Sequence, residues 1–107
     1  MEYFGETSKL TRILSNERLR TKAYGRAMAV RIRQRLEEMT VAHDLSQLSH
    51  LPPTRLHKLQ GRRAHQFDVD ISPNWRMIIE GYDEHDVPST VPSAIVTVSI
   101  ISIEDYH

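Results

Sequence analysis

"AIVTVSIISIEDYH", residues 94–107, is the most strand-prone run in the chain. Val96, Val98, Ile100, Ile101 and Ile103 supply β-branched side chains, which suit an extended backbone and pack well on a pleated surface. With apolar residues on both of its faces, such a strand is expected at the centre of a sheet covered by helices. The run then closes on Asp105, Tyr106 and His107, an acid, a phenol and an imidazole at a place where chains ordinarily fray. A strand anchored by five branched residues would hold these groups on a rigid element. A site that moves protons needs such support, because its groups must be fixed to within about 0.5 Å.

Outward from this run the pattern stays that of a sheet as far back as the prolines. "HQFDVDI" (65–71) alternates Phe67, Val69 and Ile71 with Gln66, Asp68 and Asp70, as a half-buried strand does. "SPN" (72–74) is a turn, and "WRMIIEGY" (75–82) is the next strand. "DEHDVPSTVPS" (83–93) is polar, holds two prolines and reads as an exposed loop. "TRLHKL" (54–59) is a short strand running up to Gly61, and "LPP" (51–53) ends whatever helix precedes it.

Before the prolines the period becomes helical. Met28, Ile32, Leu36 and Met39 recur at intervals of four, four and three, which places them on one helix face. Arg26, Arg33 and Glu37 fall largely on other faces. "SKLTRIL" (8–14) is a shorter helix with Thr7 or Ser8 as its cap. Asn16 can cap a segment starting at Glu17, Gly25 can break or bend it, and Asp44 can cap the short turn "LSQLSH". Helices followed by strands on short turns predict an α+β fold: one domain, residues 1–107, with helices packed on a mostly antiparallel sheet.

A chain of 107 residues can bury a core without covalent staples. It has no cysteine, which excludes disulfides, thiolate nucleophiles and cysteine-bound zinc. No stretch approaches the roughly 20 apolar residues of a membrane helix, and the N-terminus has no apolar signal-peptide centre. The expected location is therefore the cytoplasm, with no membrane partner. The net charge of zero conceals a division. Fourteen Lys and Arg against eight acids give residues 1–76 a charge of +6, and six acids without a cation give residues 77–107 a charge of −6. Nine cations stand against Glu17 alone between residues 9 and 35. Such local asymmetry either solvates a helix face or draws polyanions.

Three clusters can carry chemistry: "RLHKLQGRR" with His57, Lys58, Arg62 and Arg63 around a glycine turn, "NWRMII" with Arg76 inside an apolar strand, and the terminal "DYH". Each has a plainer explanation. His57 can be a surface histidine, Arg76 an ion-pair partner of Asp68 or Asp70, and "DYH" a solvated tail. The six histidines show no paired spacing of the kind that holds a metal.

In combination the three clusters are more specific. "RLHKLQG", an aromatic strand, "WRMI" and a β-rich run closing on "EDYH" resemble, in that order, the HigB-like branch of the RelE/ParE toxin superfamily. Members carry an "LHxLKG" segment, a "WRI" strand and a terminal "DYH"; the upstream "YG", "RL" and "LPP" are also similar. The resemblance thus spans nearly the whole chain. It implies the toxin of a type II toxin–antitoxin pair, with a RelE-like fold of N-terminal helices on a curved antiparallel sheet. It further implies cleavage of mRNA, commonly on the translating ribosome, and neutralisation by a HigA-like helix-turn-helix antitoxin. DNA would be met only through that antitoxin. The family's active-site positions match His57, Asp105, Tyr106 and His107, and Arg76 corresponds to the "WRI" arginine. Gln60 stands where members often have lysine, which removes one cation from the expected phosphate site.

These residue types suit RNA cleavage by the adjacent 2′-hydroxyl, which needs a base, an acid and cations but no metal or cofactor. Each positioned proton transfer contributes about 10²–10⁴-fold, and imidazole serves either role near neutral pH. His57 and His107 form the expected proton-transfer pair, with base and acid left open between them. Lys58, Arg63 and Arg76 would stabilise phosphate charge, with Arg62, Arg31 and Arg33 as further RNA contacts. Tyr106 would stack on a base or donate to phosphate. Asp105 would orient a histidine or act as base. The competing readings are a gyrase poison of the same fold, an inactive domain that only binds antitoxin or RNA, and an unrelated basic-helix RNA-binding module.

Overall fold

The computed structural model describes residues 1–106. A strand β1 (Glu2–Gly5) opens the chain, followed by α1 (Ser8–Leu14), α2 (Glu17–Tyr24) and α3 (Arg26–Val41). Strands β2 (His57–Lys58), β3 (Gln66–Ser72), β4 (Trp75–Tyr82), β5 (Pro88–Ser89) and β6 (Thr97–Asp105) complete one sheet of order β1-β6-β4-β3-β2, with β5 beside β4. Its pairs are antiparallel except β1 with β6. The α+β class and the mostly antiparallel sheet are therefore as the sequence predicts.

The helix boundaries follow from local chemistry. Thr7 Oγ1 accepts from the Leu10 amide at 3.1 Å and Asn16 Oδ1 from the Leu19 amide at 3.0 Å, each meeting one of the unpaired N–H groups of a first turn. Gly25, at φ +82°, takes a backbone conformation that only glycine adopts freely and separates α2 from α3. On α3, Ile32, Leu36 and Met39 are buried and join Phe67, Val69, Ile71, Met77, Ile79, Val98 and Ile100 in one core. The odd-numbered residues of β3 and β4 thus face the helices. Gly81 admits Ile95 against the sheet: a Cβ there would lie 2.3 Å from Ile95 Cδ1.

Besides the 54–59 strand, which is confined to His57–Lys58, four features depart from the sequence reading. The N-terminus contributes β1, whose four residues are too few to show a period; they pair along β6 from Glu2 opposite Thr97 to Gly5 opposite Ile100. The cation run is not wholly solvated, because Arg20 and Arg35 are buried. Arg20 donates to the Leu14 carbonyl, and Arg35 donates to the Asp70 carbonyl at 2.7 Å and to Glu38 at 2.9 Å, tying α3 to β3. The 83–93 loop is largely exposed, as expected, but it is ordered by β5 and by Asp83, whose carboxylate accepts from the His85 and Val87 amides. The fourth departure lies in β6. Ile79 pairs with Ile100 but Ile78 pairs with Ser102, so Ile101 is the extra residue of a β-bulge. Beyond it Ile103 turns to the core side opposite Met77, and Glu104 turns to the other side opposite Arg76. What reads as a strand apolar on both faces is a one-sided strand whose parity the bulge resets.

Among the described residues no helix is long and apolar enough to cross a membrane.

Candidate active site

The alternation that sends Phe67, Val69 and Ile71 to the core sends Gln66, Asp68 and Asp70 to the opposite sheet face. Register aligns neighbours on that face: His57 with Asp68 from β2, Arg76 with Asp70 from β4, and Glu104 with Arg76 from β6. Segments far apart in sequence therefore meet in one layer of polar side chains.

Asp68 is its centre. The carboxylate is fully buried, while the His57 side chain facing it is 55% exposed. His57 Nδ1 lies 2.5 Å from Asp68 Oδ1, and Arg76 Nη1 donates to Asp68 Oδ2 at 3.2 Å. Loss of solvent raises the Asp68 pKa; the charges of His57 and Arg76, with the Arg76 hydrogen bond, oppose that rise. Neither Asp68 Oδ1 nor Arg76 Nε forms a well-aligned hydrogen bond among the described residues. His57 is thus the nearest group able to compensate Oδ1.

Tyr106 closes one side. Its amide donates to the Asn74 carbonyl at 2.8 Å, and its hydroxyl donates to Asp70 Oδ1. The Arg76 guanidinium carbon lies 5.0 Å from its ring centroid, within cation–π range. Burial and the bond to Asp70 push the phenol pKa well above its ordinary value, so Tyr106 stands protonated as a donor. Arg55, 3.6 Å from Asp70 Oδ2, flanks the same carboxylate.

Glu104 closes the other side. Arg63 binds it with both terminal nitrogens, at 3.0 and 2.6 Å, and Ser102 Oγ donates to it at 2.6 Å. Arg76 Nη2 lies 3.9 Å away. The Arg63 hydrogen bonds, against some burial, hold the Glu104 pKa down at about 2. Arg63 Nε also donates to Gln66, whose amide donates to Glu80, and His65 lies 3.3 Å from Glu80.

The expected site residues divide on this frame. His57, Arg76, Arg63 and Tyr106 come together, and Arg76 is the ion-pair partner of Asp68. Asp105 ends β6 opposite Trp75, with the side parity opposite to Arg76 and Glu104, and it makes interactions of its own. Lys58 pairs with Phe67 and so has the parity opposite to His57; Arg62 is exposed in the turn after Gly61. Arg31 and Arg33 are exposed on α3, across the sheet from His57, with Arg33 3.8 Å from Glu37. His107 lies outside the described residues. Sequence reasoning named Asp68 and Asp70 only as alternative ion-pair partners of Arg76, and it passed over Glu104. The signal for the first two was their alternation with Phe67, Val69 and Ile71, which puts two acids on the face away from the core.

Among the described residues, no group of three or more His, Asp or Glu is placed to hold a metal ion. A cleft of about 730 Å³ between α3 and residues 47–54 lies apart from this layer. No protein-family model matches the chain, and no curated protein matches it.

Proposed function

We propose that this chain is a HigB-like toxin of a type II toxin–antitoxin pair, with the compact RelE-like fold, acting as an endoribonuclease on mRNA carried by the translating ribosome. One observation carries the reading. The three segments that bear the resemblance, "LHKLQG", "NWRMII" and "EDYH", contribute His57, Arg76 and Tyr106 to one side-chain layer through Asp68 and Asp70. Nothing in their linear order requires that meeting. His57 is open enough to reach a ribose, and it works with His107 as the proton-transfer pair. Arg76 and Arg63 supply positive charge beside the scissile phosphate, and Tyr106, on releasing its bond to Asp70, supplies a hydroxyl donor. A HigA-like helix-turn-helix antitoxin neutralises the toxin.

A second reading, a domain of the same fold without nuclease activity, draws on the ion pairs. Arg63 is held by Glu104, Arg76 by Asp68, and Gln60 brings no cation. Controlled induction with mapping of mRNA 5′ ends separates the two. The nuclease reading expects growth arrest with fragmented mRNA, abolished by H57A combined with H107A. Intact mRNA with DNA damage would point to a gyrase poison, and no growth effect to an inactive domain.

A further inference from the structure

The geometry points to Asp68 as the positioning residue of the site: its buried carboxylate fixes the tautomer and orientation of His57, so that proton transfer takes place at Nε2. This inference rests on the ribonuclease reading for its chemistry, but not for its geometry.

An imidazole offers two nitrogens, and the hydrogen bond made by one decides which role is left to the other. His57 Nδ1 is 2.5 Å from Asp68 Oδ1, a separation at which two lone pairs would repel, so Nδ1 is the nitrogen that holds a proton. Its N–H is not in line with Oδ1, and a small rotation of the exposed ring would bring it there. Nε2 of the neutral ring is then an acceptor, suited to take the 2′-hydroxyl proton; of the charged ring, a donor, suited to protonate the departing 5′-oxygen. In both roles the proton crosses at Nε2 and the Nδ1 proton stays with Asp68. The carboxylate is able to do this because it cannot turn away. It has no exposure, its other oxygen accepts from Arg76 Nη1 at 3.2 Å, and β3 register sets it directly opposite His57. Arg76, between Asp68 and the Tyr106 ring, serves in this arrangement to lock the orienting acid.

The test is spectroscopic first and kinetic second. Long-range ¹H–¹⁵N spectra of the full chain near pH 8, with the His57 signals identified by their loss in H57Q, should show the Nδ1–H form. In Asp68→Asn, an isosteric change, the amide oxygen must face the donor-only Arg76. Its N–H then meets His57 Nδ1, and the ring should switch to the Nε2–H form. In single-turnover cleavage D68N should lose about 10²-fold or more in rate while RNA affinity is retained, and D68N with H57A should be no slower than H57A alone. A wild-type ring in the Nε2–H form, or a D68N chain that cleaves like wild type, overturns the proposal. If D68N fails to fold, the wild-type tautomer still decides. If the wild-type chain cuts no RNA, the nuclease reading falls, while the tautomer measurement, which needs no activity, independently judges the Asp68–His57 pairing.

Discussion

Glu104 shows how much a single residue can alter the reading of this surface. It stands beside the terminal triplet, yet it is the carboxylate that Arg63 grips with two nitrogens and that Arg76 approaches. A phosphate entering here has to displace a carboxylate from Arg63 rather than find a vacant cation. The same ion pair predicts an acid-side signature. The Glu104 pKa falls from an ordinary 4.5 to about 2 on folding, so its stabilising contribution is fully present above about pH 4.5. It is lost as the pH drops towards 2, because the unfolded chain takes up the proton first. Urea denaturation across that interval should show E104Q flatter than wild type. At pH 7 the variant should be about 1 kcal/mol less stable, a modest figure because the pair is partly exposed. Identical acid profiles for the two chains would mean that the Arg63–Glu104 pair does not persist in solution.

Among the elements, β6 matters most, and its bulge decides which side chains reach the polar layer. Removing Ile101 should restore plain alternation, leaving Ile103 on the core side and Glu104 beside Arg76, at a cost of about 1–2 kcal/mol for the lost half-buried side chain. Removing Ile103 instead drives Glu104 into the core-side position opposite Met77. That should cost on the order of 4 kcal/mol or prevent folding, because it buries an unpaired charge. Equal stability of the two deletions in urea would refute this account of the register. On β4, Gly81→Ala should cost about 2 kcal/mol, since the added methyl would press on Ile95.

At the scale of the whole molecule, folding undoes the charge division along the chain. The +6 of residues 1–76 and the −6 of residues 77–107 are interleaved on the sheet: Arg63 and Arg76 meet Glu104, and His65 meets Glu80. The exposed cations Arg31 and Arg33 lie on α3, on the other side of the sheet. If they grip RNA, they do so away from the reacting groups. Charge reversal of both should then raise KM and reduce the salt dependence of binding by about one log–log unit per lost phosphate contact, with kcat unchanged. A fall in kcat at constant KM would place them at the chemistry instead, and unchanged binding to both RNA and antitoxin would remove them from either interface.

The parts legible from sequence are those set by neighbours a few residues away. Thr7 and Asn16 capped the helices they were expected to cap, Gly25 split α2 from α3, and the alternation in "QFDVDIS" assigned one face of β3 to the core. What only the tertiary structure decided is who meets whom across strands. Four residues of β1 carry no period to read, and a one-residue bulge at Ile101 reverses every side chain after it. The union of His57, Asp68 and Arg76 depends on the registers of three strands at once. Local sequence specifies an alternation, but the partner opposite each position is set by pairing between distant segments, and there this site is assembled.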